Sequence, residues 1–201
     1  MMPESELILT LEGEKELLQK VDRLAPRIRE GVGRKALLQS ALLLERHIKT
    51  EKLSGQVLHV RSGRLRSSIS HRLEQIGQDL TARVGTNLVY ARIHEFGGTI
   101  TAKRAANLAI PTGIARTPAG VPRYTARQLI ANPGVGGFTR TFFRHHKLYG
   151  VTRGGRVRAA FILKKSVTIP QRSYMRTALR EKQQEIVQTI AMEVNRALQE
   201  S

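Results

Sequence analysis

The stretch HRLEQIGQDLTARV, residues 71–84, decides the fold class. His71–Ile76 and Leu80–Val84 read as strands, and Gly77-Gln78-Asp79 between them reads as a hairpin turn. Upstream the texture is helical. Glu12, Glu14 and Glu16 suit a helix N-terminus, where the macrodipole favours negative charge, and the helical reading runs from Gly13 to about Lys52. Pro26 can open a second helix with Leu37, Ala41, Leu44 and Ile48 on one face. Gly31 and Gly33 predict a kink near its start, and Ser54-Gly55 its end. Ser62 is placed to cap a short helix before the hairpin, and Asn87 a helical turn after it that stops at Gly97-Gly98; Thr99–Ala102 is a short β stretch.

Further downstream, Pro111, Pro118, Pro122 and Pro133 with many glycines predict an extended, irregular insertion over 103–155. Thr139–Val151 and Arg156–Ile169 read as two strands joined by Thr152-Arg153-Gly154-Gly155. Ser173 opens a long closing helix with an apolar stripe of Met175, Leu179, Ile186, Ile190, Val194 and Ala197. Helices, then strands, then a helix argue for an α+β fold: an antiparallel sheet packed by N-terminal helices and a long C-terminal helix. We read the 201 residues as a single domain with N-terminal helices at 1–54, the first part of the sheet at 55–102, the insertion at 103–155, and strand plus helix at 156–201.

Charge is the second informative feature. The chain carries 34 Lys and Arg against 16 Asp and Glu, and the excess is concentrated. From Gly97 to Arg180 there are 16 Lys or Arg and no acid, while the remainder is close to neutral. Such a field of one sign repels itself and attracts polyanions, so the segment is expected to face a polyanion or an acidic partner. The candidate contacts are Arg140, Arg144, Lys147, Arg153, Arg156, Arg158, Lys164 and Lys165, interleaved with Phe142, Phe143 and Tyr149. Arginine and aromatic side chains together can grip phosphates and stack on bases, although Phe142 and Phe161 read more simply as strand core.

Other chemistries find little support. Without cysteine there is no disulfide, thiolate zinc site or cysteine nucleophile. No run is long and apolar enough for a membrane helix, and the acidic start does not resemble a signal peptide. His94-Glu95 lacks the second histidine one turn on, since that position is Gly98, and His145-His146 on one strand would point to opposite faces. Gly31-Val32-Gly33-Arg34-Lys35 and Gly134-Val135-Gly136-Gly137 lack phosphate-loop spacing and context. There is no GxSxG elbow, and acids lie only before residue 96 or after 180. The expectation is a chain without catalysis, cofactor or metal.

Two stretches resemble a known family. RVGTNLVYARIHEFGG (83–98) is similar to the first signature of phage virion morphogenesis proteins, and LKKSVTIPQR (163–172) resembles their second. RSGRL (61–65) and LAIP (108–111) match smaller landmarks in the same order. The family continues with RPFL, whereas Ser173-Tyr174-Met175 stands here, so the proline at the helix start is missing. The resemblance implies a structural protein that completes the tail and helps join it to the head, with one sheet carrying both signatures. It implies a homo-oligomer, a hexameric ring, beside neck, tail-terminator and tail-tube proteins, in the virion after assembly in host cytoplasm, with genomic DNA in the lumen and no membrane. His94, Glu95 and Arg172 are expected in buried or inter-subunit polar contacts, and Gly97 and Gly98 in a tight turn. The alternative function is a sequence-independent nucleic-acid-binding protein outside the virion.

Overall fold

The computed structural model describes residues 7–10, 26–76 and 79–199. The acidic helix start expected at residues 12–16, and Gly77-Gln78 of the expected turn, lie outside them. The chain forms two compact units. One is built from residues up to Phe96 together with those from Gln171 onward; the other is Gly97–Pro170.

In the first unit, strands β1 (Leu7–Thr10), β2 (Ser70–Ile76) and β3 (Asp79–Thr86) form an antiparallel sheet in the order β1-β3-β2. The expected hairpin pairs His71 with Val84, Leu73 with Ala82 and Ile76 with Asp79. Period-two alternation along β3 turns Ala82, Val84 and Thr86 inward. Against that face packs α1 (Pro26–His47), with α5 (Tyr174–Gln199) packed along α1, giving a core of Ala41, Leu44, Ile48, Leu53, Ile69, Tyr174, Met175, Ala178 and Ile186. Each such Leu or Ile fully withdrawn from water contributes about 1.5–3 kcal/mol.

That burial overrides a local preference. The kink expected at Gly31 and Gly33 does not occur, and α1 runs unbroken through both. Glycine costs roughly 1 kcal/mol in a helix, less than the packing of the following turns against α5 returns. The helix then widens into a π-helical stretch, Ile48–Gln56, interrupted by Gly55 at φ 125°. Short helix α2 (Arg64–Ser68) begins from Gly63 at φ 74°, not from Ser62, whose hydroxyl reaches the Arg64 amide only at 3.5 Å. Helix α3 (Ala91–Phe96) follows β3.

Tyr174 lies at the root of α5, fully buried, and its hydroxyl has no hydrogen-bond partner among the described residues. Burial, with the Glu95 carboxylate and the Tyr90 phenol nearby, pushes its ionisation well above the ordinary phenol range. An unpartnered buried hydroxyl costs about 1–3 kcal/mol. We therefore expect Tyr174→Phe, which keeps the ring, to raise the thermal midpoint by about 2–4 °C. A lowered midpoint would show that the hydroxyl is engaged after all.

The second unit holds two sheets. Strands β4 (Gly98–Thr101) and β9 (Ser166–Ile169) pair with each other. Strands β5 (Leu108–Pro111), β6 (Arg140–Arg144), β7 (Lys147–Val151) and β8 (Val157–Lys164) form an antiparallel sheet in the order β5-β8-β7-β6. Its core is Ala115, Tyr124, Leu129, Phe138, Leu148, Ala160 and Phe161. A register shift at Leu148/Tyr149 lets the consecutive Ala160 and Phe161 both be buried, as a bulge allows. Across 103–155, irregular loops alternate with β5, β6, β7 and α4 (Ala126–Ala131), whose first turn is closed by the Thr125–Gln128 capping box.

Two expectations are corrected here. Thr139–Val151 is not one strand but the hairpin β6–β7, turning at His145 (φ 46°) and His146 (φ 57°). Two successive left-handed residues make the tight turn whose twist suits a two-residue hairpin, and histidine tolerates that conformation better than most. The two signature stretches are also not carried by one sheet but spread over three: the first contributes to β3 and β4, the second to β8 and β9, and they share a sheet only where β4 pairs with β9.

Candidate functional site

The signature stretches run beside each other within each unit. In the second unit Gly98 pairs with Ile169. In the first, the Arg172 amide donates to the His94 carbonyl at 2.9 Å and the Ser173 amide to the Glu95 carbonyl at 3.1 Å. These bonds deliver the start of α5 to the side chain of Glu95, which is 0% exposed. Glu95 Oε2 accepts the Met175 amide at 2.8 Å, and Oε1 accepts the Arg176 amide and Arg176 Nε, both at 3.1 Å. The carboxylate thus takes two of the amides that a helix N-terminus leaves without intrahelical partners, at the positive end of the helix dipole. It does the work of an N-cap from a position 80 residues upstream.

The surrounding groups hold this cap in place. The guanidinium of Arg176 lies 4.8 Å from the centre of the Phe96 ring and that of Arg92 5.6 Å from it. Ser173 adopts φ 47°, and its hydroxyl accepts from Gln171 Nε2 and Arg176 Nη2. Proline is locked near φ −65°, so the family's proline is incompatible with this backbone. His94 is half-buried, with its ring edge-on to Tyr90. Burial first, then the charges of Arg61 and Arg172, hold its pKa below the usual imidazole value. Gly97 and Gly98 take φ 72° and 143°, conformations that side chains with a Cβ rarely adopt.

A polar cavity of about 430 Å³ opens beside β2 and β3, lined by Ser67, Ser70, Arg72, Arg83 and Asn87 among others. Its two arginines both lie against Glu74, which offsets much of their charge.

The basic residues are distributed more selectively than their sequence order suggests. The acid-free unit Gly97–Pro170 contains 13 Lys and Arg and not one Asp or Glu; its first boundary falls where the charge pattern changes, while the acid-free run continues to Arg180. In antiparallel pairs, directly opposed residues share a face. Arg140 opposes Val151, Phe142 opposes Tyr149, and Arg144 opposes Lys147. Lys147 also opposes Ile162, which brings Lys164, two residues on, to the same face. Arg158 opposes Gly150 on the other face, Arg153 and Arg156 lie in the β7–β8 turn, and Lys165 lies between β8 and β9. The structure therefore brings together four of the eight candidates: Arg140, Arg144, Lys147 and Lys164.

At the centre of that face the rings of Phe142 and Tyr149 stack at 5.3 Å and 12°. Both are half-buried, and neither belongs to the core on the other side of the sheet. Phe142 is accordingly not the core residue expected, whereas Phe161, 2% exposed, is. The grouping was hidden because the turn at His145-His146 reverses the chain inside what reads as a single strand.

The model of the phage virion morphogenesis family matches residues 38–141, from the middle of α1 into β6. The chain belongs to this family. The match takes in the RSGRL landmark, the whole first signature and LAIP, and ends before the second signature. Neither the curated proteins nor the solved structures yield a significant match. Membership in a virion morphogenesis family gives the molecule a role in virion assembly.

Proposed function

We propose that this chain is a structural component of the phage tail or neck that completes the tail and helps join it to the head. Copies assemble as a ring around the DNA passage, six in number, next to neck, tail-terminator and tail-tube proteins. The observation that carries this reading is the acid-free basic unit Gly97–Pro170 in a member of a virion morphogenesis family. A closed ring repeats every charge in each subunit, so a basic unit becomes a continuous positive belt. Such a belt suits either the DNA of the passage or the acidic surface of a neighbouring protein. The reading gives the chain no catalytic role.

The test is a lysogen or phage in which this reading frame is interrupted and supplied in trans. Without the protein, lysates viewed by electron microscopy should contain filled heads and separate tails, with infectivity down by several orders of magnitude. Supplying the protein should restore joined particles. Normal joined particles in its absence would overturn the proposal.

A further inference from the structure

We propose that the sheet face carrying Arg140, Arg144, Lys147 and Lys164 around the Phe142–Tyr149 pair binds the phosphate backbone of nucleic acid without reading its sequence. Three observations lead there. The four cations share one face by register, while Leu148 and Phe161 fill the other. No acid exists anywhere in the unit, so none of the four has an anionic partner within it. In the first unit several cations are paired, as Lys52 is with Glu181 and Arg176 with Glu95. Four like charges held on one rigid surface repel each other, and a polyanion relieves that repulsion while releasing its own counterions.

Spacing and the aromatic pair favour nucleic acid over an acidic protein. Arg140 and Arg144 bracket Phe142 on β6, four residues and hence about 13 Å apart along the strand. That separation equals roughly four base-pair rises of about 3.4 Å along the axis of a duplex. The stacked rings between them offer flat apolar surface, against which bases of a single strand can lie or which the edge of a duplex can cover. The face carries no Asn, Gln, Asp or Glu to read adenine or cytosine, and its four cations suit phosphates. The inference stands apart from head–tail joining: a chain that joins particles could lack this affinity, and one with it could fail to join them.

Binding of the full-length protein to fluorescein-labelled duplex and single-stranded DNA of one sequence, read by anisotropy between 50 and 300 mM NaCl, tests it. Four phosphate contacts give a slope of log K against log salt of about −3.6 on duplex and about −2.8 on a single strand. The variant Arg140→Gln/Arg144→Gln/Lys147→Gln/Lys164→Gln should weaken binding by at least about tenfold at 100 mM and flatten the slope. The matched variant Arg153→Gln/Arg156→Gln/Arg158→Gln/Lys165→Gln removes the same charge away from the face and should stay within about threefold of the parent. Circular dichroism checks that both fold. Equal losses in the two variants would mean that net charge alone attracts DNA, and the proposal would fail. It would fail equally if polyglutamate of matched charge displaced the DNA at lower concentration than unlabelled DNA does. Phe142→Leu/Tyr149→Leu tells the two forms apart: a loss on the single strand with unchanged duplex binding identifies stacking, and unchanged binding of both identifies the backbone alone.

Discussion

Glu95→Ala is expected to lower the thermal midpoint by about 10 °C, the equivalent of roughly 3–4 kcal/mol for a chain of this length. The magnitude follows from what the carboxylate holds. Its two oxygens, on a side chain buried from water, take the amides of Met175 and Arg176 and one edge of the half-exposed Arg176 guanidinium. Losing an ordinary exposed N-cap costs about 1 kcal/mol. Here the amides would also be left unsatisfied where water cannot replace the acceptor, at about 1–3 kcal/mol for each such group. Glu95→Gln is nearly isosteric and keeps one acceptor oxygen, but turns an NH2 towards amides that themselves donate. It should lose about half as much as the alanine variant. Amide hydrogen exchange should locate the damage in the first two turns of α5. A Glu95→Ala midpoint within 2 °C of the parent, or loosening spread evenly over α1 and β3, would show that Glu95 is not the cap that fixes α5.

This cap also marks where the sequence stops being readable. The hairpin 71–84, the stripe of α5 and the α+β class were all legible, because each is written in residues a few positions apart. The acid-free segment was equally plain, and it coincides closely with one structural unit. What local pattern could not show was the partner of Glu95, since the bond closes a loop of 80 residues and nothing near Glu95 suggests a helix end. The faces of the basic strands were obscured for a different reason. A histidine pair lacks the glycine or asparagine that usually announces a two-residue turn, and missing that turn scrambles which residues share a face. The unbroken α1 shows the remaining type of failure, local propensity outweighed by burial that only the folded chain supplies.

Gly150→Ala is expected to destabilise the second unit by about 3 kcal/mol although it adds a single methyl group. Gly150 sits in β7 directly beneath the ring of Phe138, and a Cβ there would lie 2.3 Å from Phe138 Cγ and Cδ2 and 2.5 Å from Cδ1. These atoms form the near edge of a rigid ring, so no terminal rotation relieves the overlap. A Cβ on Gly136 would likewise come within 2.7 Å of the same ring and of Leu129 Cδ1. Phe138 thus packs against two glycines at 7% exposure, in the core with Leu129, Leu148 and Phe161. An alanine at 150 must push β7 away from the ring or expel the ring from the core. Expulsion alone forfeits about 1.5–3 kcal/mol of apolar burial. Urea unfolding and hydrogen exchange along β6–β8 would both record the loss. The explanation is specific enough to be rescued: Phe138→Leu frees space at that contact, so Gly150→Ala/Phe138→Leu should be less destabilised than the sum of the single variants by at least about 1 kcal/mol. Strict additivity, or a Gly150→Ala protein as stable as the parent, would mean that the ring does not occupy the space over Gly150.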